Sequence, residues 1–143
     1  YVPTKIINKA LKRTLKKGIQ VTIMVSSASD IPFTPEAALY KLHKLMKKGA
    51  HVFLYNGGFH HSKIMMVDNR FCTVGTANLN SRSLRYDYET NAFIFNREVT
   101  EELNEMFAED LKNCTPLTPE YWKKRSAWKK FVGWFANLLG PFM

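Results

Sequence analysis

In the run "FHHSKIMMVDNRFCTVGTANLN", Phe59 to Asn80, an imidazole at His61, an ammonium at Lys63, a hydroxyl at Thr76 and an amide at Asn78 are set among apolar residues. Imidazole titrates near neutrality and can give and take a proton at working pH. Lysine and asparagine present cationic and neutral donors suited to oxygens that carry negative charge. Burying such groups without partners costs about 1–3 kcal/mol each. They are therefore either satisfied internally or aimed at something that binds.

The elements that position these groups follow from the pattern around them. Strand side chains alternate faces, so His61 and Lys63 project from one side about 7 Å apart. A two-residue turn at Asn69-Arg70 predicts a hairpin of His61 to Val67 with Phe71 to Gly75, in which Lys63 faces Thr76 and His61 faces Asn78. Asp68 lies about 23 Å from His61 along an extended strand and cannot hydrogen-bond that imidazole. Glu89, early in a further strand from Tyr88 to Phe95 with Asn91 on the same face, is the carboxylate that could hold one ring nitrogen of His61. The loop between carries Arg82 and Arg85, which either reach a phosphate or are solvated charge.

Upstream, Thr4 to Lys17 has helical spacing with Thr4 as cap and Gly18 as stop, and Gln20 to Val25 reads as a buried strand. "TPEAALYKLHKLMKKG" repeats the helical grammar with Thr34 as cap, and His51 to Tyr55 is a second strand before the Gly57-Gly58 turn. Glu98 to Lys112 and about Glu120 to Leu139 are further helices. This order implies an α/β domain, a mixed β-sheet sandwiched by helices, over residues 1–143, with a basic amphipathic helix at 118–143. On that helix, about 100° per residue puts Trp128, Phe131, Val132, Phe135, Leu138 and Leu139 on one face. Such a face either meets a membrane surface, with Trp128, Phe131 and Trp134 as candidate lipid contacts, or packs on its own domain.

The chain has 143 residues, 45% of them hydrophobic and 23% charged, which is globular material and excludes disordered and fibrous classes. Its 21 Lys+Arg against 12 Asp+Glu give +9, an excess that favours a polyanionic partner. Two cysteines make no disulfide framework. No apolar run reaches the roughly 18–20 residues of a spanning helix. His60, His61 and Cys72 do not form a ligand set at metal spacing. The opening "YVPTKII", without methionine, suggests a piece of a longer protein.

His61-x-Lys63, four residues, Asp68, six residues, Gly75-Thr76-x-Asn78 resembles the HKD motif of the phospholipase D superfamily, with threonine where serine is usual. Together with "GTANLNSRSL" and "YETNAFIFN", the run is similar to the second HKD half of the bacterial cardiolipin synthase family. The resemblance covers nearly the whole chain. It implies a phosphatidyltransferase that passes a phosphatidyl group between phosphatidylglycerol molecules through a phosphohistidine, releasing glycerol, with no metal and no other cofactor. It assigns His61 nucleophilic or general acid–base work, the latter preferred because first-half histidines are usually the nucleophile. Lys63, Thr76 and Asn78 hold the phosphate, Glu89 supports His61, and Asp68 is a motif member with a structural role. Two HKD motifs share one site, so the resemblance also implies a partner: the N-terminal HKD half of the parent chain or a second copy in a homodimer. The halves pack together beside His61, so an apolar face is expected there, and the isolated chain is expected to be inactive unless it dimerises. Membrane attachment is expected through N-terminal segments of the parent at the bacterial cell membrane, this domain itself being soluble or peripheral, with anionic phospholipid as partner. Two alternatives stand beside this: a homodimeric phosphodiesterase or endonuclease of the same superfamily, and a non-catalytic module binding anionic lipid or, less favoured, nucleic acid.

Overall fold

The computed structural model describes residues 3–28 and 34–138. Eleven elements follow in the order α1 (Lys5–Lys16), β1 (Thr22–Ser26), α2 (Thr34–Met46), β2 (His51–Tyr55), β3 (Lys63–Val67), β4 (Phe71–Gly75), β5 (Asn91–Ile94), α3 (Arg97–Leu111), β6 (Cys114–Pro116), α4 (Pro119–Lys124) and α5 (Ala127–Leu138). The mixed α/β class expected from the sequence is what forms, but with two three-stranded sheets rather than one.

The first sheet runs β1-β2-β6, with β1 and β2 parallel and β6 antiparallel to β2. The β1–α2–β2 crossover makes that parallel pair possible. β6 escaped the sequence reading because a three-residue strand ending in proline carries no alternation to detect. The core lies on this sheet: Leu42 and Leu45 are wholly buried, with Leu39, Ala50, Val52, Leu54 and Leu117 around them and Leu11, Leu15, Ile23 and Trp122 at the margin. The Thr4 hydroxyl accepts from Ile7 N–H at 3.3 Å and so caps α1 as expected. The Thr34 capping expectation concerns a side chain outside the described residues.

The second sheet is the antiparallel meander β3-β4-β5, with α3 packed on β3 and β4. Cys72 is fully buried, and both cysteines are free thiols.

The C-terminal region is two helices, not one. Arg125 is extended (φ −68°, ψ 139°) and interrupts the chain between α4 and α5, and Ser126 Oγ accepts from Lys129 N–H at 3.3 Å to start the second helix. α5 packs on α2 through small residues: Ala136 against Ala37, and Gly133, where any Cβ would run into the Glu36 carbonyl oxygen. Asn137 Nδ2 donates to Ala37 O at 3.0 Å, and Arg125 is ion-paired with Glu36. Among the described residues no helix is long and apolar enough to cross a membrane.

Candidate active site

The hairpin turn sets the register on which the site depends. Val67 pairs with Phe71, leaving Asp68, Asn69 and Arg70 in the loop. Arg70 N–H donates to Val67 O at 3.1 Å, and Asp68 and Asn69 both sit at φ 50°. Asp and Asn tolerate the left-handed region better than other non-glycine residues, so the turn falls one residue earlier than Asn69-Arg70. Asn69 Oδ1 also accepts from Asn104 Nδ2 at 2.8 Å, which ties the turn to α3.

The expected register is therefore corrected by one residue. Lys63 faces Gly75, not Thr76, and Gly75 in turn faces Asn91. Across one sheet face the rows read Lys63–Gly75–Asn91, then Met65–Thr73–Phe93, with Val67 opposite Phe71 beyond. One end of this face is polar and the other apolar. β3 begins at Lys63, so His61 precedes the strand, and β5 begins at Asn91, so Glu89 lies before it rather than within it.

Gly75 explains how Thr76 and Asn78 are presented. A Cβ there would collide with Asn91 Oδ1 and the Thr90 carbonyl. In the space it leaves, Asn91 Oδ1 accepts from Ala77 N–H at 3.1 Å and Asn91 Nδ2 donates to Thr73 Oγ1 at 3.2 Å. Thr76 N–H donates to Thr90 O at 3.0 Å, and Thr76 Oγ1 accepts from Thr90 N–H at 3.0 Å. These bonds fix the start of the loop that carries Asn78, which is half-buried. Asn91 thus serves the scaffold, a role that sequence reasoning did not find.

His61 is held through its backbone. Lys63 Nζ donates to His61 O at 2.7 Å, and the Phe59 and His61 rings lie 5.3 Å apart, leaving the imidazole exposed. The adjacent His60 is an anchor: its N–H donates to Ser26 Oγ at 3.2 Å, its ring meets Tyr55 edge-on at 5.1 Å, and its Nε2 is 3.6 Å from Asp110 Oδ2. Ser26 Oγ also donates to Gly58 O at 2.9 Å. β1 and α3 together thereby pin the segment just before His61. Ser26 and Asp110 were not legible as site-supporting residues, because their partners are distant in sequence.

The Glu89 carboxyl is held below the usual carboxylate range, first by the hydroxyls of Thr76 and Ser83 and then by the Lys63 charge. Burial pushes the Lys63 ammonium down, and Glu89 opposes that shift. Glu89 is thus coupled to Lys63 and Thr76; among the described residues no hydrogen bond joins it to His61. Asp68 is at the opposite end of β3, exposed in the turn. Arg82 Nε donates to Asp87 Oδ1 at 3.1 Å, whereas Arg85 is exposed. Among the described residues no group of three or more His, Cys, Asp or Glu side chains converges on a metal position.

The class that this fold defines is phospholipase D-like. A phospholipase D family member, Nuc from Salmonella typhimurium, superposes with a TM-score of 0.70 at 20% identity over 80% of this chain and 75% of its own. Phosphatidylserine synthase from Haemophilus influenzae superposes with a TM-score of 0.74 at 22% identity, over all of this chain and 40% of its own. Residues 1–111 match the family model described as cardiolipin synthase, PLD-like domain, and the chain belongs to that family. A cardiolipin synthase of Listeria monocytogenes is 36% identical and one of Staphylococcus aureus 34% identical, each over 143 residues. The chain spans 30% and 29% of the lengths of these two relatives.

Proposed function

We propose that this chain is the second catalytic half of a cardiolipin synthase-type phosphatidyltransferase. The observation that carries the reading is the polar row Lys63–Gly75–Asn91 at the end of the second sheet, with His61 before it and Glu89 electrostatically coupled to Lys63. Histidine of one motif attacks phosphorus of phosphatidylglycerol, and the bond from phosphorus to the glycerol oxygen breaks. His61, as general acid, gives its proton to that departing oxygen. A hydroxyl of a second phosphatidylglycerol then attacks phosphorus, His61 takes its proton, and the phosphorus–nitrogen bond breaks. Lys63 and Asn78 stabilise charge on the phosphate oxygens, and Thr76 assists. Glu89, whose charge opposes the effect of burial on Lys63, supports the phosphate clamp more directly than it supports the imidazole.

One motif supplies one histidine, so the site needs a second phospholipase D-like unit. The apolar part of the Lys63 face is the surface it would cover: Met65, Val67, Phe93 and Phe95 are 48%, 42%, 66% and 81% exposed. The N-terminal half of the parent chain is the favoured occupant, since so much of the relatives' length lies outside this segment. His61→Ala in the full parent is expected to lower cardiolipin and glycerol formation from phosphatidylglycerol by about 10²–10⁴-fold with an unchanged thermal transition. Full turnover in that variant would remove His61 from the chemistry. Hydrolysis of DNA by the intact parent, without phosphatidyl transfer, would favour the phosphodiesterase alternative.

A further inference from the structure

α5 is two-sided. The contacts of α5 with α2 run through Gly133, Ala136 and Asn137, its small and polar residues rather than its large aromatics. Trp128, Phe131, Trp134 and Phe135 form a continuous outward stripe, 70%, 51%, 45% and 50% exposed. Phe131 is its centre, with ring centroids 5.8, 5.7 and 6.3 Å from Trp128, Trp134 and Phe135. Leaving four adjoining aromatics in water is costly unless something covers them.

The surroundings of the stripe indicate what covers it. Lys123 and Lys124 are exposed at the α4–α5 junction, just before the stripe begins, and Lys129 is exposed on the side of α5 that carries Gly133. A cleft of about 370 Å³ opens there, lined by Tyr121, Lys124, Arg125, Ser126 and Lys129. Lysine is depleted from protein–protein interfaces. Tryptophan and phenylalanine beside lysines are instead the composition of a helix lying in a bilayer interface, with rings at the acyl boundary and ammonium groups among anionic head-groups. The +9 charge of the chain adds to that attraction. We infer that the Trp128–Phe131–Trp134–Phe135 face of α5, with Lys123 and Lys124 of the α4–α5 junction ahead of its N-terminal end, docks flat on an anionic phospholipid surface. The choice of phosphatidylglycerol as the anionic lipid rests on the proposed function; the docking itself does not.

The test uses this chain with phosphatidylglycerol and with phosphatidylcholine vesicles. Co-sedimentation with the former only, and quenching of Trp128 and Trp134 by brominated acyl chains while Trp122 (stacked on His43 at 4.0 Å) stays unquenched, are expected. Replacing Trp128, Phe131 and Trp134 together by serine should weaken vesicle binding at least about tenfold with the same thermal transition. Phe131→Glu alone should do so too, should the triple variant not fold. Lys123→Gln with Lys124→Gln should weaken binding at low salt and matter little at high salt. Equal binding to both lipids, or stripe variants that bind as the unaltered chain does, overturns the proposal. So does a stripe variant that turns a dimer into a monomer while leaving lipid binding intact, because the stripe then serves a second copy. Vesicle binding is read without turnover, so absent turnover and absent docking are separate results.

Discussion

Gly75 carries more of the site than its lack of a side chain suggests. The motif's glycine is the vacancy through which Asn91 reaches Ala77 N–H and Thr73 Oγ1. The polar residues embedded in the hairpin are thereby satisfied in part by one another, which answers why a strand can hold them. Gly75→Ala is expected to destabilise the protein by about 1–3 kcal/mol and to displace the loop bearing Thr76 and Asn78. Chemical denaturation measures the first effect, and loss of phosphatidyl transfer by the folded fraction measures the second. A variant with the same midpoint and slope as the parent sequence would show that Asn91 can give way cheaply.

At the scale of elements, α2 is the hub, facing the first sheet through Leu42 and Leu45 and α5 through Ala37. On it His43 is buried and stacked on Trp122 of α4, with rings 9° from parallel. Burial, then the charges of Lys47, Lys130 and Lys44, push its pKa below the ordinary histidine value. The unfolded chain then binds the proton more readily than the folded one. The resulting stability is fully present above about pH 6.5 and is lost as pH falls from there toward the lowered folded value. Melting temperatures of the chain and of His43→Gln should therefore converge as pH falls from 7.5 to about 5. A constant difference between them across that range would exclude His43 as the source.

Across the whole molecule, two apolar faces remain open among the described residues, and they differ in chemistry. The sheet face of Met65, Val67, Phe71, Phe93 and Phe95 is bordered by the polar row Lys63–Gly75–Asn91, whereas the α5 stripe follows the lysines of the α4–α5 junction. Phe71 is stacked with Phe93 at 6.3 Å and tilted against Phe95 at 4.9 Å, which gives the first face an aromatic surface suited to a second sheet. The isolated chain should accordingly dimerise through it, and Phe93→Glu should yield a monomer in sedimentation velocity. A monomeric unaltered chain would count against pairing of two copies and leave the N-terminal half of the parent as the occupant.

Much of this was legible in the residues. The cap at Thr4 and the period of the helices depend on local geometry alone. The spacing from His61 to Asn78 carried the family. What was not legible depended on contacts between distant segments. The one-residue register was decided by Asp68 and Asn69 both entering the left-handed region, a choice helped by Asn104 of α3. The end of β5 and the engagement of Glu89 depended on where Thr76 met Thr90. The orientation of α5 was decided by Gly133 against Glu36: an amphipathic pattern names an apolar face, but close helix packing selects the smallest residues. Backbone propensity and spacing act over a few residues; register and facing are settled only when remote side chains compete for the same space.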